Sequence, residues 1–156
     1  MPPIIPQPIV ELLQTGVSVV VGTRDGSLMP ECTRAWGIRV EADHTSVTIF
    51  LAEIFAGLTV ENLRENGMVA VSCARPTDHI ACQLKGRVRT IRSADSQDRD
   101  ASRRWHRQFQ EELAAIGAPR ELSGAWIVEP TVAIEIKVTE AFDQTPGPGA
   151  GRSVAR

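Results

Sequence analysis

Residues 79–91 alternate between two kinds of side chain over a length that suits one long strand. One set is apolar or small: Ile80, Cys82, Leu84, Gly86 and Val88. The other set is polar and mostly basic: Gln83, Lys85, Arg87 and Arg89. Successive side chains of a strand point to opposite faces, and burying unpaired cations costs more free energy than burying their aliphatic neighbours gains. The pattern therefore predicts that the basic face meets water or an anion.

Gly86 interrupts the apolar row near the middle of this strand. A glycine at such a position indicates a β-bulge, a sharp bend or the close approach of another part of the chain. A bent strand with a basic outer face suits a small barrel that binds a phosphate-bearing ligand.

The composition limits the classes of protein to which the chain can belong. Its 156 residues suit one domain, and a formal net charge of -2 gives no general attraction to nucleic acid or anionic lipid. No apolar run approaches the roughly 18 residues of a membrane helix, and no basic, then apolar, leader is recognised. Cys32, Cys73 and Cys82 lack a paired spacing, which favours reduced, packed cysteines. We predict a cytoplasmic protein with no nucleic-acid or membrane partner.

Periodicity and turn residues predict six or seven strands. They cover residues 17–23, 28–40, 46–52, 68–74, 79–91, 131–139 and, as a shorter candidate, 125–128. Asp25-Gly26, between the first two strands, is the strongest hairpin signal in the chain. Because such short turns cannot connect parallel strands, the predicted fold class is mainly β, an antiparallel, meander-rich barrel.

Two to three helices interrupt this series of strands. The first begins at Pro8 and ends before Gly16, the second is capped by Thr59 and ends at Gly67, and the third is capped by Ser93 and closed by Gly117. Residues 1–143 are predicted to form a single domain. The Pro- and Gly-rich segment 144–156 has no pattern that could bury it, which predicts a flexible C-terminal tail.

Three short sequence motifs fall on these predicted elements. They are VVVGTRDG at residues 19–26, ENLRENG at 61–67 and QLKGRV at 83–88. Together with the element order, they resemble the pyridoxamine 5'-phosphate oxidase-like family across about residues 15–140. The resemblance implies an antiparallel split β-barrel that forms homodimers and binds FMN at two sites between the subunits. Some relatives instead use a deazaflavin, bind haem or bind no cofactor.

The resemblance also suggests candidate cofactor-binding residues. They are Arg34, Trp36, Gln83, Lys85 and Arg87. Arg34 matches an arginine on the second strand of the family, and it is expected to hold the FMN phosphate together with Lys85 or Arg87. Trp36 is a candidate for stacking on the isoalloxazine ring. The oxidases carry a basic pair after the third strand, whereas residues 54–57 here are Ile-Phe-Ala-Gly, a departure that speaks against tight FMN binding.

Each of these residues has a structural alternative. Arg34 can form a salt bridge or a dimer contact, while Lys85 and Arg87 can form a solvated sheet face. Trp36 can lie in the core or in an interface, and an interface is also predicted for Trp126.

Trp105 and His79 lie outside this candidate set. Trp105 lies on the apolar stripe of the third helix and is predicted to be core. His79 is a candidate proton donor near a flavin or a candidate haem ligand, and its alternative is a polar residue at a loop end.

The sequence contains no recognisable nucleophile elbow, phosphate loop, dinucleotide fingerprint or metal-site spacing. A cofactor would therefore have to supply any redox chemistry. The first prediction is an FMN-binding oxidoreductase that acts by hydride transfer on a small organic substrate. The alternative is a cofactor-free or differently loaded split barrel, with deazaflavin or haem, that binds a small ligand.

Overall fold

The computed structural model describes residues 5–154. In this range four helices cover Gln7–Leu13 (α1), Glu53–Asn66 (α2), Ser96–Ala115 (α3) and Arg120–Gly124 (α4). Eight strands in the same range cover Ser18–Arg24 (β1), Pro30–Arg34 (β2), Ile38–Val40 (β3), Ser46–Leu51 (β4), Met68–Ala74 (β5), Ala81–Ser93 (β6), Val132–Asp143 (β7) and Arg152–Ser153 (β8). None of the described helices is both long and apolar enough to cross a membrane.

All eight strands belong to one antiparallel sheet, which confirms the predicted fold class. The strand order is β2-β1-β5-β6-β7-β4-β3, and β8 pairs with β7. The long strands β6 and β7 pair from Cys82, opposite Asp143, to Ser93, opposite Val132. They join a half-sheet of β2, β1 and β5 to one of β4 and β3, so the sheet curls into a half-barrel around its core.

The alternation predicted for residues 79–91 is confirmed from Cys82 to Arg87, but Ile80, predicted to face the core, precedes β6 and is 39% exposed. Cys82 and Leu84 are buried, whereas Lys85 and Arg87 are exposed. Burying each large aliphatic side chain of the inner face stabilises the fold by roughly 1.5 to 3 kcal/mol, which fixes the register of the strand.

Gly86 lies at an irregularity of this strand, as predicted. The register of β6 against β7 shifts between Lys85 and Gly86, and again between Val88 and Thr90. A Cβ atom at Gly86 would collide with the backbone carbonyl of Lys137. Only glycine therefore lets β7 approach β6 this closely.

The core fills the space between the inner face of the sheet and helices α1, α2 and α3. Strand β4 is buried on both of its faces. The indole Nε1–H of Trp105 donates to the carbonyl oxygen of Val17 at 2.7 Å, and its ring stacks on Phe109 with centroids 5.1 Å apart. Trp105 is therefore a core residue, as predicted.

The single strand predicted for residues 28–40 is wrong. The structure divides it into β2, which pairs with β1, and β3, which pairs with β4 at the far end of the sheet order. The break lies at Gly37, whose φ of +130 strongly favours glycine. A Cβ there would also lie 3.0 Å from the Phe50 ring.

Two predicted helix starts are wrong, although the predicted end at Gly67 is confirmed by its left-handed φ of +69. α2 begins at Glu53 after Ala52, so Thr59 lies inside the helix and is buried. α3 begins after Asp95, which forms a reciprocal capping box with Asp98, and not after Ser93.

The short strand predicted at 125–128 is also wrong. The segment before it forms helix α4, and residues 125–128 follow as a turn and irregular chain. Ile127 and Trp126 are exposed, so the apolar residues that suggest a strand are surface residues here.

A part of the predicted tail forms strand β8. Its Arg152 and Ser153 pair with Asp143 and Phe142 of β7, and Val154 packs against the core. The sequence predicts no strand here, because two residues after a Pro-Gly segment carry no periodicity. The flexibility of 144–156 and the domain limit at residue 143 stay predictions.

The predicted packing of the cysteines is correct for two of them. Cys73 and Cys82 are buried opposite each other on β5 and β6. Cys32 is exposed, because β2 is an edge strand whose alternate side chains face outward.

Candidate functional site

Two rows of side chains cross the outer face of the sheet, which is turned away from the core. One row consists of Arg34, Val20, Ser72, Gln83 and Phe142. The next row consists of Cys32, Gly22, Ala70, Lys85 and Glu140. The central members are small, so the middle of this face offers a shallow surface flanked by charged side chains.

An open groove of about 490 Å³ lies on this outer face. Its cations are Arg24, Lys85 and Arg87, and Glu140 is the acidic residue among its described lining. The sheet register brings these residues together, because Lys85 pairs with Ala70 and Arg87 pairs with Met68. We call this site the outer groove.

The cations of the outer groove lack carboxylate partners. Among residues 5–154, no carboxylate oxygen lies within 4.0 Å of their charged nitrogens. The Nζ of Lys85 lies 5.1 Å from the centroid of the Phe142 ring, and Arg87 donates to the carbonyl oxygen of Asn66 at 3.3 Å. Arg24 donates to a neighbouring backbone carbonyl at 3.1 Å. Neutral partners leave the positive charge uncompensated, which suits a phosphate or another anion.

Gln83 lies on the same face, two residues before Lys85 on β6. Its Nε2 donates to the Oγ of Ser72 at 3.1 Å. The structure thus brings Gln83, Lys85 and Arg87 together and adds two neutral hydrogen-bonding groups beside the cations. Their predicted roles in cofactor binding stay predictions.

Arg34 is not brought to the outer groove within one chain. It lies three strand spacings from Gln83 in its row, about 14 Å away. Its guanidinium carbon lies 5.9 Å from the ring centroid of Phe109 on α3. No carboxylate of residues 5–154 pairs with it, so the alternative of a salt bridge within the described chain has no support. The expected combination of Arg34 with Lys85 or Arg87 is not found in this chain.

Trp36 lies apart from the outer groove, in the break between β2 and β3. Its backbone N–H donates to the carbonyl of Phe50 at 2.7 Å, and its carbonyl accepts from the Ser102 hydroxyl at 2.5 Å. The side chain is half-buried and packs against the core. These contacts favour the structural alternative for Trp36.

Residues 54–57, at which the oxidases are expected to carry their basic pair, form the first turn of α2. Ile54 is 85% exposed and Phe55 is 64% exposed, while Ala56 has a non-helical φ of -127. The Thr33 hydroxyl contacts the carbonyl of Phe55 at 3.5 Å, which places this turn beside β2. An exposed apolar surface therefore occupies the place of the expected cations.

His79 lies in the turn between β5 and β6 and not in the outer groove. It has a left-handed φ of +61, and its N–H donates to the carbonyl of Arg75 at 2.9 Å. No group of three or more potential metal ligands is found in the described chain. The position supports the predicted alternative of a polar residue at a loop end.

Sequence reasoning missed Arg24 and Glu140 as residues of the outer groove. Arg24 is the outward residue two positions after Gly22, so its face could be found from alternation along β1. Its proximity to Lys85 depends on β5 lying between β1 and β6, and no local pattern states that order.

A second cluster of arginines surrounds the buried carboxylate of Asp98. Its oxygens accept from Arg39 at 3.0 Å, from Arg92 at 2.5 Å and from the backbone N–H of Asp95 at 2.9 Å. Burial alone would raise the pKa of Asp98, but the hydrogen bonds from Arg92, Asp95 and Arg39 hold that pKa well below its usual range. We call these residues the Asp98 centre; it joins β3, β6 and α3.

The chain matches no family model and no curated protein. It is similar to solved structures at low sequence identity. HupZ of Group A Streptococcus is 16% identical, with a TM-score of 0.60 over 95% of this chain and 100% of that chain. A Lactobacillus delbrueckii protein assigned as a pyridoxamine 5'-phosphate oxidase is 15% identical, with a TM-score of 0.57 over 91% of this chain and 99% of that chain.

An FMN-binding protein of Syntrophomonas wolfei is 9% identical, with a TM-score of 0.53 over 85% of this chain and 80% of that chain. At such identities the likeness concerns the fold alone. The chain shares the split β-barrel fold of these proteins, which confirms the fold that the sequence resemblance implies.

Proposed function

We propose that this split barrel binds FMN at the outer groove and acts by hydride transfer on a small organic substrate. The observation that carries the proposal is the set of Arg24, Lys85 and Arg87 lining one groove without a carboxylate partner among the described residues. The description of one solved neighbour as an FMN-binding protein supports the choice of flavin.

The residues of the outer groove fit the chemical groups of FMN. Lys85 and Arg87 supply charge-assisted donors for a phosphate dianion. Gly22 and Ala70 leave a flat strip of sheet beside them, over which a planar ring system can lie. When bound, FMN supplies the hydride acceptor and donor.

The chain's own contribution is position and electrostatics. Lys85 and Arg87 neutralise the phosphate, while the Gln83 amide and the Ser72 hydroxyl offer hydrogen bonds to the polar edge of the ring. Glu140 lies opposite Lys85 in the sheet, so the phosphate would lie on the Arg24 and Arg87 side of Lys85, away from this carboxylate. In this proposal no side chain acts as a nucleophile or as a metal ligand.

We also propose that the protein is a cytoplasmic homodimer. Large apolar side chains are exposed at the start of α2 and at the β1–β2 hairpin: Leu28, Met29, Ile54, Phe55 and Leu58. Apolar side chains clustered on a surface mark interaction sites, and a second copy of the chain would bury them. The free thiols of Cys32, Cys73 and Cys82 agree with a reducing compartment.

The dimer is tested by light scattering on the purified chain at micromolar concentration. We expect twice the mass of one chain, and the double variant Ile54→Asp/Phe55→Asp should shift the mass towards that of one chain. A compact monomer for the unmodified protein would remove the dimer from the proposal.

The exposed Ile54 and Phe55 also favour a second candidate function. In this candidate the start of α2 is not buried by a second copy, and a split barrel without FMN, or with a deazaflavin or haem, binds a small ligand with an apolar part there. This candidate requires no phosphate site there, which agrees with the absence of cations from residues 54–57.

An absorption spectrum separates the two candidates. The purified protein is mixed with excess FMN, desalted and scanned from the near ultraviolet to the visible. Retained flavin bands at a stoichiometric level support the FMN proposal. A colourless protein would favour the second candidate with an unpigmented ligand, and haem bands in the protein as purified would favour its haem form.

A further inference from the structure

A second cavity, distinct from the outer groove, lies between α1, the start of β6 and the C-terminal residues around β8. Its volume is about 1120 Å³, and it shares no described lining residue with the outer groove. Cavities of several hundred Å³ with an apolar lining are the usual sites for small ligands. We call it the α1 cavity.

The α1 cavity has an apolar wall. Ile9 and Leu12 of α1 and Cys82 of β6 line it but are only 7%, 5% and 1% exposed. Ile80 at its margin, 39% exposed, supplies the accessible apolar surface. An apolar ligand that covers this half-exposed isoleucine removes apolar surface from water, which stabilises the complex.

Ile80 is held in place by the turn that precedes it. Its N–H donates to the Asp78 carboxylate at 3.1 Å, and its carbonyl accepts from the N–H of Arg75 at 2.9 Å. Arg75 and Asp78 form an ion pair of 2.7 Å across the same turn. The apolar margin is therefore preorganised for a ligand.

Arg152 of β8 gives the cavity a cation. Its side chain is 70% exposed, and it lies 3.7 Å from the carboxylate of Asp143, a long ion pair. That carboxylate accepts from the backbone N–H of Thr145 at 2.9 Å. The pKa of Asp143 is lowered first by the backbone and hydroxyl of Thr145 and only last by Arg152. Arg152 is therefore free to pair with another anion.

We propose that the α1 cavity binds an organic carboxylate with an apolar body, with Arg152 at the carboxylate and Ile80 against the body. Among the described lining residues, the other ionisable side chains are His44, Asp143 and the buried thiol of Cys82. Because the Thr145 N–H donates to Oδ1 of Asp143 and Arg152 lies 3.7 Å from Oδ2, the ligand's carboxylate competes only with a long ion pair for Arg152. This site does not depend on the proposed flavin site.

The probe for this proposal is dodecanoate, titrated into the full chain by calorimetry below its micellar concentration. Ile80→Ser removes apolar contact at a half-exposed position, and Leu122→Ser on α4 is the matched control for loss of an exposed apolar side chain. We expect Ile80→Ser to weaken binding roughly tenfold and Leu122→Ser to leave it unchanged.

Arg152→Gln tests the charge separately, since it leaves the apolar wall intact. It should weaken dodecanoate binding roughly tenfold and leave the binding of dodecanol unchanged. Failure of dodecanoate to bind, or equal affinity in Ile80→Ser and in the unmodified chain, would overturn the proposal. FMN should not displace dodecanoate; displacement would merge the two sites and refute this one while leaving flavin binding in place.

Discussion

Arginine appears in two opposite settings in this molecule, the Asp98 centre and the outer groove. In the Asp98 centre, Arg39 and Arg92 share a carboxylate that is only 1% exposed. In the outer groove, Arg24 and Arg87 meet backbone carbonyls, and no carboxylate of the described chain pairs with them. The arginine charge is compensated by a carboxylate in the Asp98 centre, whereas in the outer groove it has only neutral partners among the described residues.

This difference separates a structural role from a binding role. A buried carboxylate with two guanidinium partners is costly to disturb, because removal of either sign leaves an uncompensated charge. An exposed cation beside neutral groups adds little to folding and stays available to an anion. The free energy of unfolding should therefore depend on the first region, and ligand affinity on the second.

The largest expected loss of stability comes from removing the negative charge of the Asp98 centre. Asp98→Asn removes the charge that pairs with Arg39 and Arg92, and we expect it to lower the free energy of unfolding by about 3 kcal/mol. Urea denaturation measures the change. Asp100→Asn, an exposed carboxylate on the same helix that pairs with Arg103, is the control and should cost less than about 1 kcal/mol. If Asp98→Asn and Asp100→Asn lower the free energy of unfolding equally, the Asp98 centre has no special structural role.

A smaller loss is expected at Gly86, which shapes the strand that carries the outer cations. Gly86→Ala places a Cβ against the carbonyl of Lys137, so the free energy of unfolding should fall by about 2 kcal/mol. Gly57→Ala in α2 is the matched control, because its Cβ would meet no atom within 4 Å. That control should be neutral or slightly stabilising; an unchanged stability of Gly86→Ala would show that the close approach of β7 is not required.

Acid should weaken the Asp98 centre in particular. The pKa of Asp98 is held well below its usual range in the folded chain, so its contribution to stability is complete above the unfolded pKa of about 4 and is lost as the pH falls towards the folded value. Urea midpoints between pH 6 and pH 3 should fall more steeply for the unmodified chain than for Asp98→Asn. Parallel curves would mean that other carboxylates carry the acid sensitivity.

The smallest effect on stability is expected in the outer groove. The double variant Lys85→Ala/Arg87→Ala should change the free energy of unfolding by less than about 1 kcal/mol, since neither cation has a carboxylate partner in the described chain. Urea denaturation of the double variant and of Asp98→Asn under the same conditions compares their free energies of unfolding. A loss as large as that of Asp98→Asn would assign these cations a structural role.

Local signals in the sequence predict much of the fold. Asp25-Gly26 predicts the first hairpin, and the alternation around Gly86 predicts both the basic outer face and the irregularity. The start of α2 could not be predicted, because Ala52 caps it without a side-chain hydrogen bond. The division of residues 28–40 depends on β2 pairing back with β1 while β3 pairs forward with β4, a change of partner that alternation does not record.

The candidate site was only partly predictable for the same reason. Gln83, Lys85 and Arg87 lie on one strand, so alternation alone groups them on one face. Arg34 and Arg24 lie on other strands, and their distances from that group depend on the strand order. Trp36 belongs to the break between β2 and β3, where no periodic pattern applies.

The most direct test of the account compares the affinities of FMN and riboflavin, which lacks the phosphate, by fluorescence titration. We expect the unmodified chain to bind FMN at least about tenfold more tightly than riboflavin, because Lys85 and Arg87 recognise the phosphate. This preference should disappear in Lys85→Ala/Arg87→Ala and persist in Arg107→Ala, which removes an exposed arginine of α3 outside the groove. Equal affinities for FMN and riboflavin in the unmodified chain would contradict the assignment of the outer groove as a phosphate site.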